Sequence, residues 1–202
     1  MELKDEFAPH HARLLSHEER FHGAVSRAWV DNLELATTGA RMNREWMERH
    51  DGVAVMAVRG GTAGPEMLLI RQYRHPVHAL LWEIPAGMLD VEGEAPEAAA
   101  VRELREEADL VASHLTFLCT FFSSPGAGNE RLTCYLAEHS TRAEEPFPRV
   151  DEEAEIERRW VPVSEVLEGV LEGRLSSPTL VTAVLAYTAR SSRRRHPGHS
   201  VE

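Results

Sequence analysis

Pro96-Glu97-Ala98-Ala99-Ala100-Val101-Arg102-Glu103-Leu104-Arg105-Glu106-Glu107-Ala108 reads as a helix, with proline in the first turn, where a missing N–H costs no hydrogen bond. At about 100° per residue, Glu103, Glu106 and Glu107 fall within about 100° of arc. Ala98, Val101, Leu104 and Ala108 take the opposite side, so one face suits a core and the other concentrates carboxylates. Like charges three and four apart destabilise an isolated helix by roughly a few tenths of a kcal/mol each. A solvated helix would interleave lysines at these spacings, whereas Arg102 and Arg105 give only partial relief. Three carboxylates on one rigid element suit a hard divalent cation. An ordinary solvated face is the competing reading.

Outward from the helix, Leu81-Trp82-Glu83-Ile84-Pro85-Ala86-Gly87-Met88-Leu89-Asp90 and then Gly93-Glu94 lead into it. A glycine-containing loop lets backbone oxygen approach an ion. Further upstream, residues 1–20 are polar and predicted to be loosely ordered or helical. Residues 22–30 alternate as a strand, 33–36 suggest a second, and Thr38-Gly39 marks a turn. Residues 45–50 and 53–58 are predicted to form a hairpin across Asp51-Gly52. Residues 59–65 read as a flexible loop, and Met67-Leu68-Leu69-Ile70 as a buried strand. Pro76 and Pro85 bracket a segment that cannot be regular throughout.

Downstream, residues 115–122, 132–137 and 156–161 read as strands, with Ser123-Ser124-Pro125-Gly126-Ala127-Gly128-Asn129 as a loop and an acidic run at 151–155. Two helices follow, one from Ser164 and one capped by Ser177 with Pro178 at its first position. Strands, a helix, more strands and two helices indicate an α/β fold with a mixed sheet and helices on its faces.

Composition narrows the function classes. The chain has 202 residues, of which 43% are hydrophobic, enough for one packed domain with an extension. The formal net charge of −11 disfavours nucleic acid as a partner. No apolar run reaches the ~20 residues of a membrane span. The acidic N-terminus carries no signal-peptide pattern, so a cytoplasmic location is expected. Cys119 and Cys134 sit in apolar stretches and are read as free thiols. His75 and His78 lack a third metal-binding partner in sequence. Basic residues occur in two groups, Arg71-Arg74-His75 and the tail from Arg190 to Arg195. The first suggests an anionic ligand; the second reads as a solvated end.

The pattern Gly87, Glu94, Arg102-Glu103-Leu104, Glu106-Glu107 and Leu110 resembles the Nudix box, a loop–helix–loop signature of hydrolases acting on nucleoside diphosphates linked to another group. Two departures stand out. One extra residue lies between Gly87 and Glu94, and Asp109 occupies the position that is usually glycine. The resemblance implies an α/β/α sandwich with a mixed sheet over 51–190. It also implies an N-terminal antiparallel strand extension over 1–50, leaving 191–202 as a basic disordered tail.

Arg71-Gln72-Tyr73-Arg74-His75-Pro76, Trp82 to Gly87, and Ser124-Pro125-Gly126 with Asn129-Glu130 are similar to the ADP-ribose pyrophosphatase branch. That branch implies hydrolysis of ADP-ribose to AMP and ribose 5-phosphate, by a homodimer that exchanges its N-terminal strands. It implies Mg²⁺, or Mn²⁺ in its place, held by Glu103, Glu106, Glu107 and the carbonyl of Ala86. Arg102 would orient the carboxylates, and Arg74 would hold the diphosphate. Glu153 in the acidic loop would be the general base, with Glu152 or Glu155 as alternatives and Glu106 as the next candidate. Glu130 would meet ribose hydroxyls. Trp46 or Trp29 would stack on adenine, against a core or interface role, and Arg44 is a further ligand candidate. GDP-mannose or a dinucleotide is the alternative substrate, and a non-catalytic ligand sensor the alternative class.

Overall fold

The computed structural model describes residues 2–149 and 155–195. The chain divides into two compact units: residues up to His50 with Phe122–Glu130, and Asp51–Phe121 with the chain from Arg131 onward. The second segment of the first unit was not apparent in sequence.

In the first unit, β1 (Ala12–His22), β2 (Ser26–Leu35) and β3 (Arg41–Arg49) form an antiparallel sheet in that order. β1 corrects the expectation of a loose or helical start. Its partners lie far along the chain: Arg13 pairs with Glu34, His17 with Asp31, and Ser16 accepts from Asn32. The two short strands expected at 22–30 and 33–36 are one strand, and Gly39 closes the following turn at φ +68°. Met47 donates its N–H to Ala127 O, and Arg49 N–H to the Asn129 side chain, which ties 122–130 into this unit.

The second unit is built on a seven-stranded sheet. Its strands are β4 (Gly52–Gly61), β5 (Gly64–Arg74), β6 (Ala79–Glu83), β7 (Ala86–Met88), β9 (Thr116–Phe122), β10 (Arg131–Ala137) and β12 (Glu157–Pro162). The order is β12-β5-β4-β10-β9, with β6 beside β5 and β7 beside β4. β4 runs parallel to β10 and antiparallel to β5 and β7, so the sheet is mixed. A separate ribbon pairs β8 (Leu110–Ala112) with β11 (Ser140–Arg142), neither foreseen.

The hairpin expected across Asp51-Gly52 does not form. Gly52 has no left-handed φ, which the favoured two-residue turn requires. It is glycine because a Cβ would meet Leu132 and the Gly87 carbonyl. Asp51 instead accepts from the backbone N–H and side chain of Arg131. The stretch 59–65 is not a loose loop but the tip of the β4–β5 hairpin, with Gly61 opposite Gly64.

β4 is buried on both faces, as a central strand should be. Alternate residues serve different layers. Ala54, Met56 and Val58 join β5's Met67 and Leu69 in a core capped by α2 (Val163–Leu171) and α3 (Pro178–Arg195) through Val163, Val166, Leu180, Ala183 and Val184. Val53, Val55 and Ala57 face α1 (Pro96–Ala108) through Ala99, Ala100, Leu104 and Ala108. The result is the expected α/β/α sandwich. α1's core face is rotated from expectation, because Ala98 is exposed and Glu107 is buried. α3 continues to Arg195 through a stretch read as frayed tail, and residues 196–202 lie outside the described ones. Among the described residues, no helix is long and apolar enough to cross a membrane.

Candidate active site

α1 points its last two turns at the short strand β7. Glu107 is 8% exposed, and its Oε2 accepts the Ala86 N–H at 2.9 Å. One residue on, a Cβ on Gly87 would overlap the carboxyl group of Glu103, so only glycine lets that carboxylate lie against the strand. Arg102 gathers the helix face. Its Nε and Nη2 donate to the two oxygens of Glu94 at 3.2 and 3.0 Å, a bidentate grip, while Nη1 donates to Glu103 at 2.6 Å and Glu106 at 3.3 Å. One guanidinium thereby aligns three carboxylates.

A second ion pair stands behind them. Arg74, at the end of β5, donates Nε to Glu83 Oε1 at 3.0 Å and Nη2 to Oε2 at 2.8 Å. Glu83 is 5% exposed. Both residues are close enough to affect the charge on Glu107.

The electrostatics follow from burial. Desolvation pushes the Glu107 carboxyl up to about 8, against the Ala86 N–H and Arg74, which favour its charged form; Glu103 and Glu83 add to the rise. Burial also raises Glu103; Arg102 opposes this, and Glu106 and Asp90 reinforce it. Glu83, Asp90, Glu94, Glu103, Glu106 and Glu107 thus share this region with the guanidiniums of Arg74 and Arg102. Carboxylates outnumber cations there, which suits an added positive ion.

Among the described residues, no three Asp, Glu, His or Cys side chains form a ready-made metal cage. The donor set nonetheless fits Mg²⁺ in kind. That ion uses one or two carboxylates together with water and substrate phosphate oxygens rather than an all-protein cage. The glycine cradle under Glu103 and the unneutralised burial of Glu107 are the two observations that fit it.

At the far end of α1, Asp109 stops the helix in a left-handed conformation, φ 54° and ψ 34°, as expected of a residue replacing glycine. It is also buried, and accepts the Phe147 N–H at 2.7 Å while pairing with Arg149 at 2.9 Å and with Arg158. Burial alone would raise its pKa; Arg149, the Phe147 N–H and Arg158 outweigh that and hold it well below the carboxylate range.

The sequence-derived candidates thus divide. Arg74, Ala86, Arg102, Glu103, Glu106 and Glu107 are brought together in the second unit. Ala86 takes part through an N–H bond to Glu107. Arg44, Trp46 and Glu130 belong to the first unit. There Arg44 donates to the Asn43 carbonyl, Trp46 Nε1 to Asp31, and Glu130 pairs with Arg49 at 3.3 Å. Trp29 stacks on His17 at 3.8 Å and donates to Glu48. Glu152 and Glu153 lie outside the described residues; Glu155 is exposed. Cys119 and Cys134 are free thiols. His75 and His78 both approach the Tyr73 hydroxyl, at 3.3 and 3.4 Å. Sequence reasoning assigned no role to Glu83, although its place directly before Ile84-Pro85-Ala86-Gly87 was a usable signal.

The family model for the NUDIX domain matches residues 48–180. This chain belongs to the NUDIX domain family. It is 34% identical over 182 residues to an ADP-ribose pyrophosphatase of Mycobacterium tuberculosis, covering 90% of this chain and 86% of that protein. It is also 34% identical over 156 residues to an ADP-ribose pyrophosphatase of Bacillus subtilis, covering 77% and 81%. The crystal structure of an ADP compounds hydrolase superposes with a TM-score of 0.72 at 22% identity, over 92% of this chain and 95% of that one, which supports the NUDIX fold. The NUDIX match spans the carboxylate helix, the Gly87 cradle and the Arg74–Glu83 pair.

Proposed function

We propose that the chain hydrolyses the pyrophosphate bond of ADP-ribose, with Mg²⁺ (or Mn²⁺), to AMP and ribose 5-phosphate. The observation that carries this reading is the buried carboxylate face of α1 laid over Gly87, in a NUDIX chain whose relatives include two ADP-ribose pyrophosphatases. Glu103, Glu106, Glu107 and the Ala86 backbone would hold the cation. When bound, it supplies charge neutralisation of the diphosphate and activation of water.

The remaining work falls to the chain's own groups. Arg102 keeps three carboxylates in one orientation, which limits the rearrangement needed at reaction. Arg74, braced by Glu83, would hold the diphosphate by charge-assisted hydrogen bonds, and Trp46, Arg44 and Glu130 are assigned to the nucleoside and ribose ends. Glu153 takes the proton from the attacking water as its oxygen bonds to phosphorus and the bridging P–O bond breaks. The reading includes a homodimer with exchanged N-terminal strands and a cytoplasmic location. The acidic charge of −11 supports a small-molecule substrate over nucleic acid.

Product analysis tests it. ADP-ribose, GDP-mannose, NADH and diadenosine polyphosphates are each incubated with the enzyme and Mg²⁺ or Mn²⁺. The expected result is AMP and ribose 5-phosphate, with ADP-ribose giving the highest kcat/KM. Preference for GDP-mannose or a dinucleotide would move the substrate within the family. Tight binding without turnover of any of the four would make the chain a sensor.

A further inference from the structure

Cys119 and Cys134 take no part in the carboxylate site, yet the fold sets them face to face. β9 and β10 are neighbours in the sheet, and the connection between them turns the chain back on itself. Thr120 Oγ1 donates to the Leu132 carbonyl at 3.0 Å, and the Ser123 N–H to the Glu130 carbonyl at 3.0 Å. Counting four residues back along β9 and four on along β10 from Ser123 and Glu130 brings Cys119 opposite Cys134. Both side chains join the same apolar layer, the one capped by α2 and α3.

Opposite residues on neighbouring strands have Cβ atoms about 4.5–5.5 Å apart, while a disulfide asks for about 3.5–4.5 Å. Closing that gap takes a shift of about 1 Å. β9 is placed to make it. It is the last strand in the order, and among the described residues it has no sheet partner on its other side.

The two thiols are not equivalent. Cys134 is fully buried, whereas Cys119 is half-buried on the edge strand. Arg190, on α3, donates to the Phe117 carbonyl at 2.6 Å and is close enough for its charge to act on the Cys119 sulfur. A hydrogen bond from the Cys134 thiol lowers the Cys119 thiol below its ordinary value, helped by Arg190 and opposed by burial. Giving that bond, together with burial, raises Cys134. The thiolate is the nucleophile, so Cys119 is the sulfur suited to attack and Cys134 the one suited to follow.

We propose that Cys119 and Cys134 form a peroxide-responsive dithiol, in which Cys119 reacts first and Cys134 resolves it into a cross-strand disulfide. In the first step the Cys119 thiolate attacks one oxygen of hydrogen peroxide. The O–O bond breaks, a sulfenic acid forms, and the departing hydroxide takes up the proton that the thiol released, leaving as water. In the second step the Cys134 sulfur attacks the Cys119 sulfur. The S–O bond breaks, the Cys134 proton passes to the departing hydroxide, and a disulfide and a second water result. The two thiols together lose two electrons and the peroxide gains them. Neither step uses the carboxylate helix, so the dithiol does not depend on the hydrolase assignment.

The test is oxidation of the purified chain, reduced and then freed of reductant, with about one equivalent of hydrogen peroxide. Wild type is compared with Cys119→Ser, Cys134→Ser and Cys134→Ala, and thermal unfolding beforehand shows which variants are folded. Alanine is the second probe at 134 because a hydroxyl there is buried in the core. Wild type is expected to lose both thiols, counted after unfolding, and about 2 Da of mass, with 119 and 134 joined in one peptide pair that dithiothreitol separates. A folded Cys134 variant should stop at the sulfenic acid and give a dimedone adduct on Cys119. Cys119→Ser should keep Cys134 as a free thiol, oxidised about tenfold or more slowly than wild type.

The proposal is overturned if wild type keeps both thiols, if the disulfide forms only between two chains, or if Cys119 accumulates as sulfenic or sulfinic acid while Cys134 stays free. Equal oxidation rates in Cys119→Ser and wild type would overturn Cys119 as the attacking sulfur.

Discussion

Glu107→Gln should make the metal-free protein more stable and the enzyme nearly dead. Burial raises the Glu107 carboxyl from 4.5 to about 8. Between those two pH values the native chain holds a proton that the unfolded chain has released, so stability falls as pH rises through the window and levels off above it. At about 1.36 kcal/mol per pKa unit, the loss across the window is on the order of 5 kcal/mol. For a domain of this size that corresponds to a shift on the order of 10 °C in melting temperature. Glutamine keeps the shape and leaves an oxygen for the Ala86 N–H, but has no charge to desolvate.

The assay is thermal unfolding of both proteins from pH 5 to 8.5 in chelator, repeated with Mg²⁺. The two curves should nearly coincide at pH 5 and diverge toward pH 8.5, with the variant the more stable. Glu103 is present in both, so the difference isolates Glu107. Added Mg²⁺ should raise the wild-type melting temperature at pH 8 more than that of the variant, since the ion replaces the bound proton. Turnover should drop about a thousandfold or more, the scale of several kcal/mol of lost transition-state stabilisation. Equal melting temperatures at pH 8.5 would refute the burial argument, and a kcat within threefold of wild type would refute the metal role.

Two further outcomes follow from the same geometry. Gly87→Ala should displace the Glu103 carboxylate and lower kcat about a hundredfold, with unfolding little changed because the strand end can shift; unaltered kinetics would show that the cradle is incidental. Arg74→Ala should raise KM for ADP-ribose and also destabilise by roughly 1–3 kcal/mol, because Glu83 is left buried without its partner; the added Glu83→Gln substitution should recover stability but not KM, and recovery of both would make Arg74 purely structural.

Much of this molecule could be read from local pattern. α1 runs from Pro96 to Ala108 as its residues imply, because a helix closes its hydrogen bonds four residues apart and its stop and start signals are adjacent in sequence. The strands at 53–58, 67–70 and 132–137 were equally legible, and the unbroken apolar run at 67–70 implied cover on both faces. The Arg102–Glu106 contact was implied by a spacing of four.

What strands pair with, and which way an amphipathic boundary residue turns, depends on contacts from distant parts of the chain. β4 takes β10, β5 and β7 as neighbours instead of turning back from β3, and β1 finds its order only on β2. Glu107 belongs to the acidic arc in sequence, but packing against β7 buries it and gives it the raised pKa. Glu83 reaches Arg74 only because β5 and β6 lie side by side. Asp109 reads as a helix stop until residues about 40 and 50 positions away arrive at its carboxylate. Sequence alone supplied the carboxylates and arginines proposed to bind a cation and a diphosphate; tertiary packing decided which are buried, which are paired and how strongly each holds its proton, because desolvation and charge pairing are properties of neighbours in space.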